Sequence, residues 1–255
     1  MNRQAISRRG SWLPASSILL VAAAAWFGTI IWARSMGVMP GTMGMTLALF
    51  VVMWTLMMAA MMLPSAMPMI TLYGRTVQSQ RMRRMTLFGS GYVVAWALTS
   101  IPAFGIAWLA GRVALHHPAW ATAAAVIIFA SAGIYQLTSL KNRCLQHCRS
   151  PLAHLLHYGN YRGQLRDFRA GAHHGWFCLA CCWALMVLMV AFGVMNLVAM
   201  IALAAVVAVE KQWSHGDRFA KAVGVASLTL AVVVIFYPDI APGLHSSTMS
   251  SMNPM

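Results

Sequence analysis

Long apolar runs separated by short basic segments dominate the chain. Runs at residues 16–33, 42–72, 87–111, 119–140 and 219–237 reach or approach the roughly 20 residues that a helix needs to cross the hydrocarbon of a bilayer. The second is long enough to tilt or kink. A further run, 176–209, would measure about 50 Å as one straight helix, too long for a single crossing. It reads either as two short helices turning near Gly193 and Asn196 or as one helix that protrudes from the membrane. The pattern predicts an all-α fold, a polytopic transmembrane helix bundle of six or seven spans.

The basic residues fall between the runs and orient them. With the amino terminus in the cytoplasm, the segment 73–86 lies inside with Arg75, Arg81, Arg83 and Arg84. The segment 141–175 lies inside too, with Lys141, Arg143, Arg149, Arg162, Arg166 and Arg169. The outer loops carry only Arg34 and Arg112, as the positive-inside rule requires. If the run 176–209 crosses twice, Lys211, Arg218 and Lys221 also fall inside. Ser7-Arg8-Arg9 loosely resembles a twin-arginine signal, but the spans downstream favour an uncleaved anchor. The expected organisation is a basic cytoplasmic amino terminus (1–15), a membrane domain (16–240) with a cytoplasmic loop at 141–175, and a Met-rich tail (241–255). The expected location is the bacterial inner membrane.

Composition supports this reading. Only 9% of the residues are charged, against about 25% in soluble domains, and 60% are hydrophobic. A net charge of +14 would suggest nucleic acid in a soluble protein. Here it follows from the loops, so the expected partner is the lipid bilayer and no nucleic acid. The four acids, Asp167, Glu210, Asp217 and Asp239, avoid the centres of the apolar runs. That excludes a pump with intramembrane carboxylates and leaves no carboxylate pair for acid–base catalysis. No phosphate loop, dinucleotide fingerprint, nucleophile elbow or C-x-x-C-H haem motif occurs, so an enzyme is not the favoured reading.

The chemistry is concentrated in sulfur. The five cysteines form two tight groups, Cys144 with Cys148 and Cys178 with Cys181 and Cys182, at the two ends of one basic, histidine-rich loop. Spacings of four and three place members of each group on one helical face, and the groups meet if their helices are neighbours. In the reducing cytoplasm these are free thiols, good ligands for Cu(I) or Zn²⁺. Small packing residues would explain a single cysteine, but not all five in two clusters. His147, inside the first group, is the best nitrogen candidate. His154, His157, His173 and His174 read individually as solvated loop residues. Met57, Met58, Met61 and Met62 fall within roughly a 140° arc of one helix, and thioethers bind Cu(I) without a charge cost. As flexible apolar filler the same block needs no metal. Pro64 and Pro68 should kink this helix. Asn196 reads as a bond to another helix.

Three segments together carry a resemblance: Met57-Met58-Ala59-Ala60-Met61-Met62-Leu63-Pro64-Ser65; Lys141-x-x-Cys144-Leu145-x-x-Cys148-Arg149-x-Pro151; and Gly175-x-x-Cys178-x-x-Cys181-Cys182-Trp183-x-Leu185-Met186, running on to Val194-Met195-Asn196. They resemble a bacterial family of predicted metal-binding integral membrane proteins, some of whose members are labelled copper chaperones. Ala180 departs from the glycine expected before the paired cysteines, but removes no ligand. The resemblance implies metal binding without fixing the metal.

The expectation is therefore a membrane protein handling Cu(I), with zinc as the variant, through Cys144, Cys148, Cys178, Cys181, Cys182, His147, Met57, Met58, Met61 and Met62. A copper-donating or copper-accepting protein would be its partner. The competing readings are a membrane thiol-redox protein and a structural or assembly subunit without metal.

Overall fold

The computed structural model describes residues 3–36, 41–77, 79–116 and 118–244, with the side chains of 3–15, 36, 115, 116, 118, 147 and 151–154 outside the description. Among the described residues the regular structure is helical: α1 (Arg3–Met36), α2 (Leu47–Thr76), α3 (Arg81–Leu98), α4 (Ser100–His116), α5 (Pro118–Leu137), α6 (Ser139–Arg149), α7 (Pro151–Gly159), α8 (Arg166–Phe192), α9 (Leu197–Gln212), α10 (Gly216–Phe236) and a 3-10 turn at Pro238–Ile240. Six stretches are long and apolar enough to cross a membrane: Ser16–Ser35, Leu47–Thr76, Arg81–Ala114, Ala119–Leu137, Arg166–Phe192 and Gly216–Phe236. The third joins α3 to α4 through Thr99, whose hydroxyl accepts from Trp54 Nε1 at 2.9 Å and donates to the Trp96 carbonyl at 2.6 Å. The outer surface is apolar, with Leu20, Phe27, Ile127, Val198 and Phe236 exposed, as a lipid solvent allows.

The run 176–209 is two helices. α8 ends at Gly193, which takes a positive φ of 94°. Asn196 then caps α9: its Oδ1 accepts from the Ala199 N–H and its Nδ2 donates to the Phe192 carbonyl, both at 3.1 Å. Asn196 thus bonds its own turn rather than a distant helix, correcting the sequence expectation. A polar side chain at this reversal satisfies backbone groups that lipid would leave unpaired. α9 runs back along the apolar part of α8, and its 16 residues measure about 24 Å. After α10, the Gly243 N–H donates to the Ala191 carbonyl at 2.9 Å, fastening the chain to the end of α8.

α2 occupies the centre, with Phe50, Met53, Met57, Met58, Met61 and Met62 at 0–2% exposure. It remains helical through Pro64 and Pro68, so the prolines do not break it. Each proline removes one backbone bond, and packing on many sides holds the helix together without them. α3 and α8 approach most closely. A Cβ on Gly171 would lie 1.8 Å from the Phe88 carbonyl oxygen, and one on Gly91 would lie 2.1 Å from that of Phe168. Without a hydrophobic drive between helices in lipid, such backbone contact supplies the attraction.

Candidate metal-handling site

The site begins with a short helix held at both ends. Thr138 lies between α5 and α6, and its hydroxyl oxygen accepts from the Lys141 N–H at 3.2 Å, a capping bond for α6. Lys141 then reaches inward. Its ammonium donates to the Cys181 carbonyl at 2.6 Å and to Glu210 Oε2 at 2.7 Å, while Gln136 Nε2 donates to Glu210 Oε1 at 2.7 Å. The Lys141 and Glu210 side chains are 1% and 2% exposed, so each charge requires the other. At the far end of α6, Arg149 donates to the carbonyls of Trp213 and Ser214, both at 2.7 Å. α6 is therefore tied to α8, to α9 and to the turn before α10.

This anchoring brings the two cysteine groups together. Cys148 Sγ lies 3.7 Å from Cys181 Sγ. Cys178, one turn before Cys181, accepts from Lys211 Nζ at 2.8 Å and lies 2.9 Å from the Tyr92 hydroxyl. Lys211 also donates to Ser65 Oγ at 3.3 Å. Cys182 donates to the Cys178 carbonyl at 2.9 Å along its own helix. Cys178, Cys181 and Cys182 are each 1% exposed. A cavity of about 320 Å³ with mixed polar and apolar walls opens beside Cys148 and Cys178, lined also by Lys211, Arg149, His174, Ser65 and Met69 among others. On α6 the thiols sit above their ordinary range. Donation to Cys181 and burial hold the Cys148 proton, and burial holds that of Cys144.

Not every expected residue converges. Cys144 lines a separate apolar cavity of about 670 Å³ with Trp96, Trp176, Trp183 and Met186 among others, one helical turn from Cys148. Met57, Met58, Met61 and Met62 are buried in the central core, and Met69 is the methionine lining the thiol cavity. The main-chain carbonyl of Met62 links the block to the site by accepting from Tyr92 at 3.4 Å. The side chain of His147 lies outside the described residues. His157 and His173, with ring centroids 5.4 Å apart, belong to an aromatic cluster with Tyr158 and Tyr161. Among the described residues, no group of three or more His, Cys, Asp or Glu side chains is arranged to hold a metal ion.

The sequence reading missed Lys211, Glu210, Tyr92 and His174 as neighbours of the sulfurs. One signal was available: Glu210-Lys211 closes an otherwise apolar helix, a costly place for charge unless each finds a partner.

A family model described as PpoB2, copper chaperone, matches residues 51–234. The chain belongs to that family. The matched stretch of the PpoB2 family contains the methionine block, all five cysteines, and both Glu210 and Lys211. The family resemblance read from the three sequence motifs therefore stands. No curated protein and no solved structure matches the chain.

Proposed function

We propose that this protein binds Cu(I) as cargo at the cytoplasmic face of the bacterial inner membrane and passes it to or from a partner protein. The observation that carries the reading is the approach of Cys148 to Cys181, with Cys178 one turn away and Cys148 and Cys178 lining one cavity. Soft sulfur of this kind suits Cu(I), and binding would displace the Cys148 thiol proton to solvent. The membership in a copper chaperone family supports the choice of metal over zinc. The buried methionines Met57, Met58, Met61 and Met62 would offer neutral thioethers deeper in the bundle. Cys182 and His147 would stand as neighbours that complete the site, and Cys144, one turn away on α6, would take part in passing the ion on rather than in holding it. The amino-terminal segment 1–15 and the loop 141–175 face the cytoplasm in this proposal, and the Met-rich tail 241–255 lies on the opposite side.

The test is anaerobic purification in mild detergent followed by elemental analysis after Cu(I) loading. The wild type should retain Cu(I) in stoichiometric amount, and the Cys178/Cys181/Cys182 triple serine variant should not. A wild type that stays empty after loading overturns the proposal. One specific observation favours a second reading, thiol redox chemistry: the same Cys148–Cys181 approach would serve a disulfide. That reading predicts a Cys148–Cys181 disulfide in protein isolated with thiols blocked, and no metal.

A further inference from the structure

The charges around the sulfurs do not balance. Lys141 is neutralised by Glu210 at 2.7 Å, and Arg149 faces Asp217 at 3.9 Å while both its described backbone partners are carbonyls. Lys211 differs. Its ammonium touches Cys178 Sγ and Ser65 Oγ, and among the described residues no carboxylate lies within ion-pair distance of it. Glu210, its neighbour in sequence, turns its carboxylate toward Lys141 and Gln136 instead. Among the described residues, Lys211 is thus the cation of this cavity whose counter-charge within reach is sulfur rather than a carboxylate.

We infer that Lys211 is a specificity-determining residue, which makes the sulfur site select a monovalent over a divalent soft metal ion. The inference rests on the metal-binding reading above. Two deprotonated sulfurs drawn from Cys148, Cys178 and Cys181, together with a monovalent ion, leave one net negative charge. The ammonium of Lys211 cancels it. The same two sulfurs with a divalent ion are already neutral, and the ammonium then leaves an uncompensated positive charge in a largely buried setting. Such a charge is expensive where the effective dielectric is low. The discrimination does not depend on which two sulfurs bind, because a fixed positive charge repels a divalent ion twice as strongly as a monovalent one at any position. Ligand type alone would not achieve this, since thiolates accept both Cu(I) and Zn²⁺. Lys211 sits at the end of α9, where the Asn196 turn and the antiparallel course beside α8 bring it to the sulfurs. The reversal at 193–196 therefore has a functional consequence as well as a topological one.

The test compares Cu(I) and Zn²⁺ dissociation constants, each measured by competition with a chelator of known affinity, for full-length wild type, Lys211→Met and Lys211→Arg. In Lys211→Met the ratio of Cu(I) to Zn²⁺ affinity should fall at least tenfold, and Lys211→Arg should restore most of it. A ratio unchanged within threefold in Lys211→Met overturns the inference. So does an equal loss in Lys211→Met and Lys211→Arg, which would mean that shape rather than charge matters. If Lys211→Met does not fold, Lys211→Gln carries the same prediction with a polar side chain. Failure of the wild type to bind Cu(I) sinks the functional reading itself. Cu(I) binding with an unaltered ratio sinks only the role of Lys211.

Discussion

Cys148, on the short helix α6, and Cys181, on the long apolar helix α8, bring their sulfurs to 3.7 Å across 33 positions of sequence. Cys144, on the same helix and one turn earlier, lines a different and apolar cavity. The first cysteine pair is therefore divided in space although its spacing places both on one face. Cys148→Ser and Cys181→Ser should each lower Cu(I) stoichiometry below half, and Cys144→Ser should leave it near the wild-type value. Equal losses in all three variants, read by elemental analysis, would argue for a single site that includes Cys144.

The Lys141–Glu210 pair should behave as a buried ion pair rather than a surface one. Removing one partner leaves an unpaired charge beside Cys181 and destabilises by about 3–5 kcal/mol. Lys141→Met and Glu210→Gln should each lower the melting temperature in detergent, Lys141→Met the more because a glutamine amide can still accept from the Lys141 ammonium whereas methionine offers the Glu210 carboxylate no donor. The double variant Lys141→Met/Glu210→Gln should recover part of the loss. Independent, additive losses would mean that the two groups do not act on each other.

The bundle was legible in the sequence because lipid imposes length and apolarity on every crossing, and both survive in the order of residues. The turn at Gly193 and Asn196 was legible only as one of two ways to place a run that exceeds one crossing. The site was only half legible. Cys148 and Cys181 announce themselves by residue type, but their meeting depends on Lys141 and Arg149 tying α6 down at both ends. No local pattern encodes those bonds. Lys211 looked like an ordinary cytoplasmic charge because the positive-inside rule accounts for basic residues at helix ends without asking what they touch. The methionine block shows the limit in the other direction: α2 is buried almost all round at Met57–Ala66, and periodicity cannot tell a core face from a ligand face.

Backbone contact between α3 and α8 should make Gly171 intolerant of any side chain. A methyl there would lie 1.8 Å from the Phe88 carbonyl oxygen, so the helices must separate. Gly171→Ala is expected to cost about 1–3 kcal/mol or more, with reduced yield of monodisperse protein. Gly89→Ala is the control on the same helix pair. A Cβ at Gly89 meets nothing within 4 Å, and alanine favours the helix, so stability should hold or rise. Loss of folded protein in both variants would point to something other than the α3–α8 approach.

The course of α9 makes a prediction about sidedness that composition alone left open. If α8 crosses outward and α9 returns, Lys211, Arg218 and Lys221 lie on the same side as Arg75 and Arg162, and the chain ends on the other. Single cysteines introduced into a cysteine-free variant, and probed with a membrane-impermeant maleimide in intact cells, read this directly. Residues 163 and 214 should be protected until the cells are opened, whereas residue 242 should label at once. The structure adds a reason for expecting this arrangement: Gly243 bonds to Ala191 at the far end of α8, and Arg149 holds the turn at 213–214 to the near end of the bundle. Labelling of residue 214 in intact cells would place the α9–α10 turn outside. The thiol site, which shares that end through Lys211 and Cys178, would then face the periplasm rather than the cytoplasm, and the partner for the metal would have to be sought there.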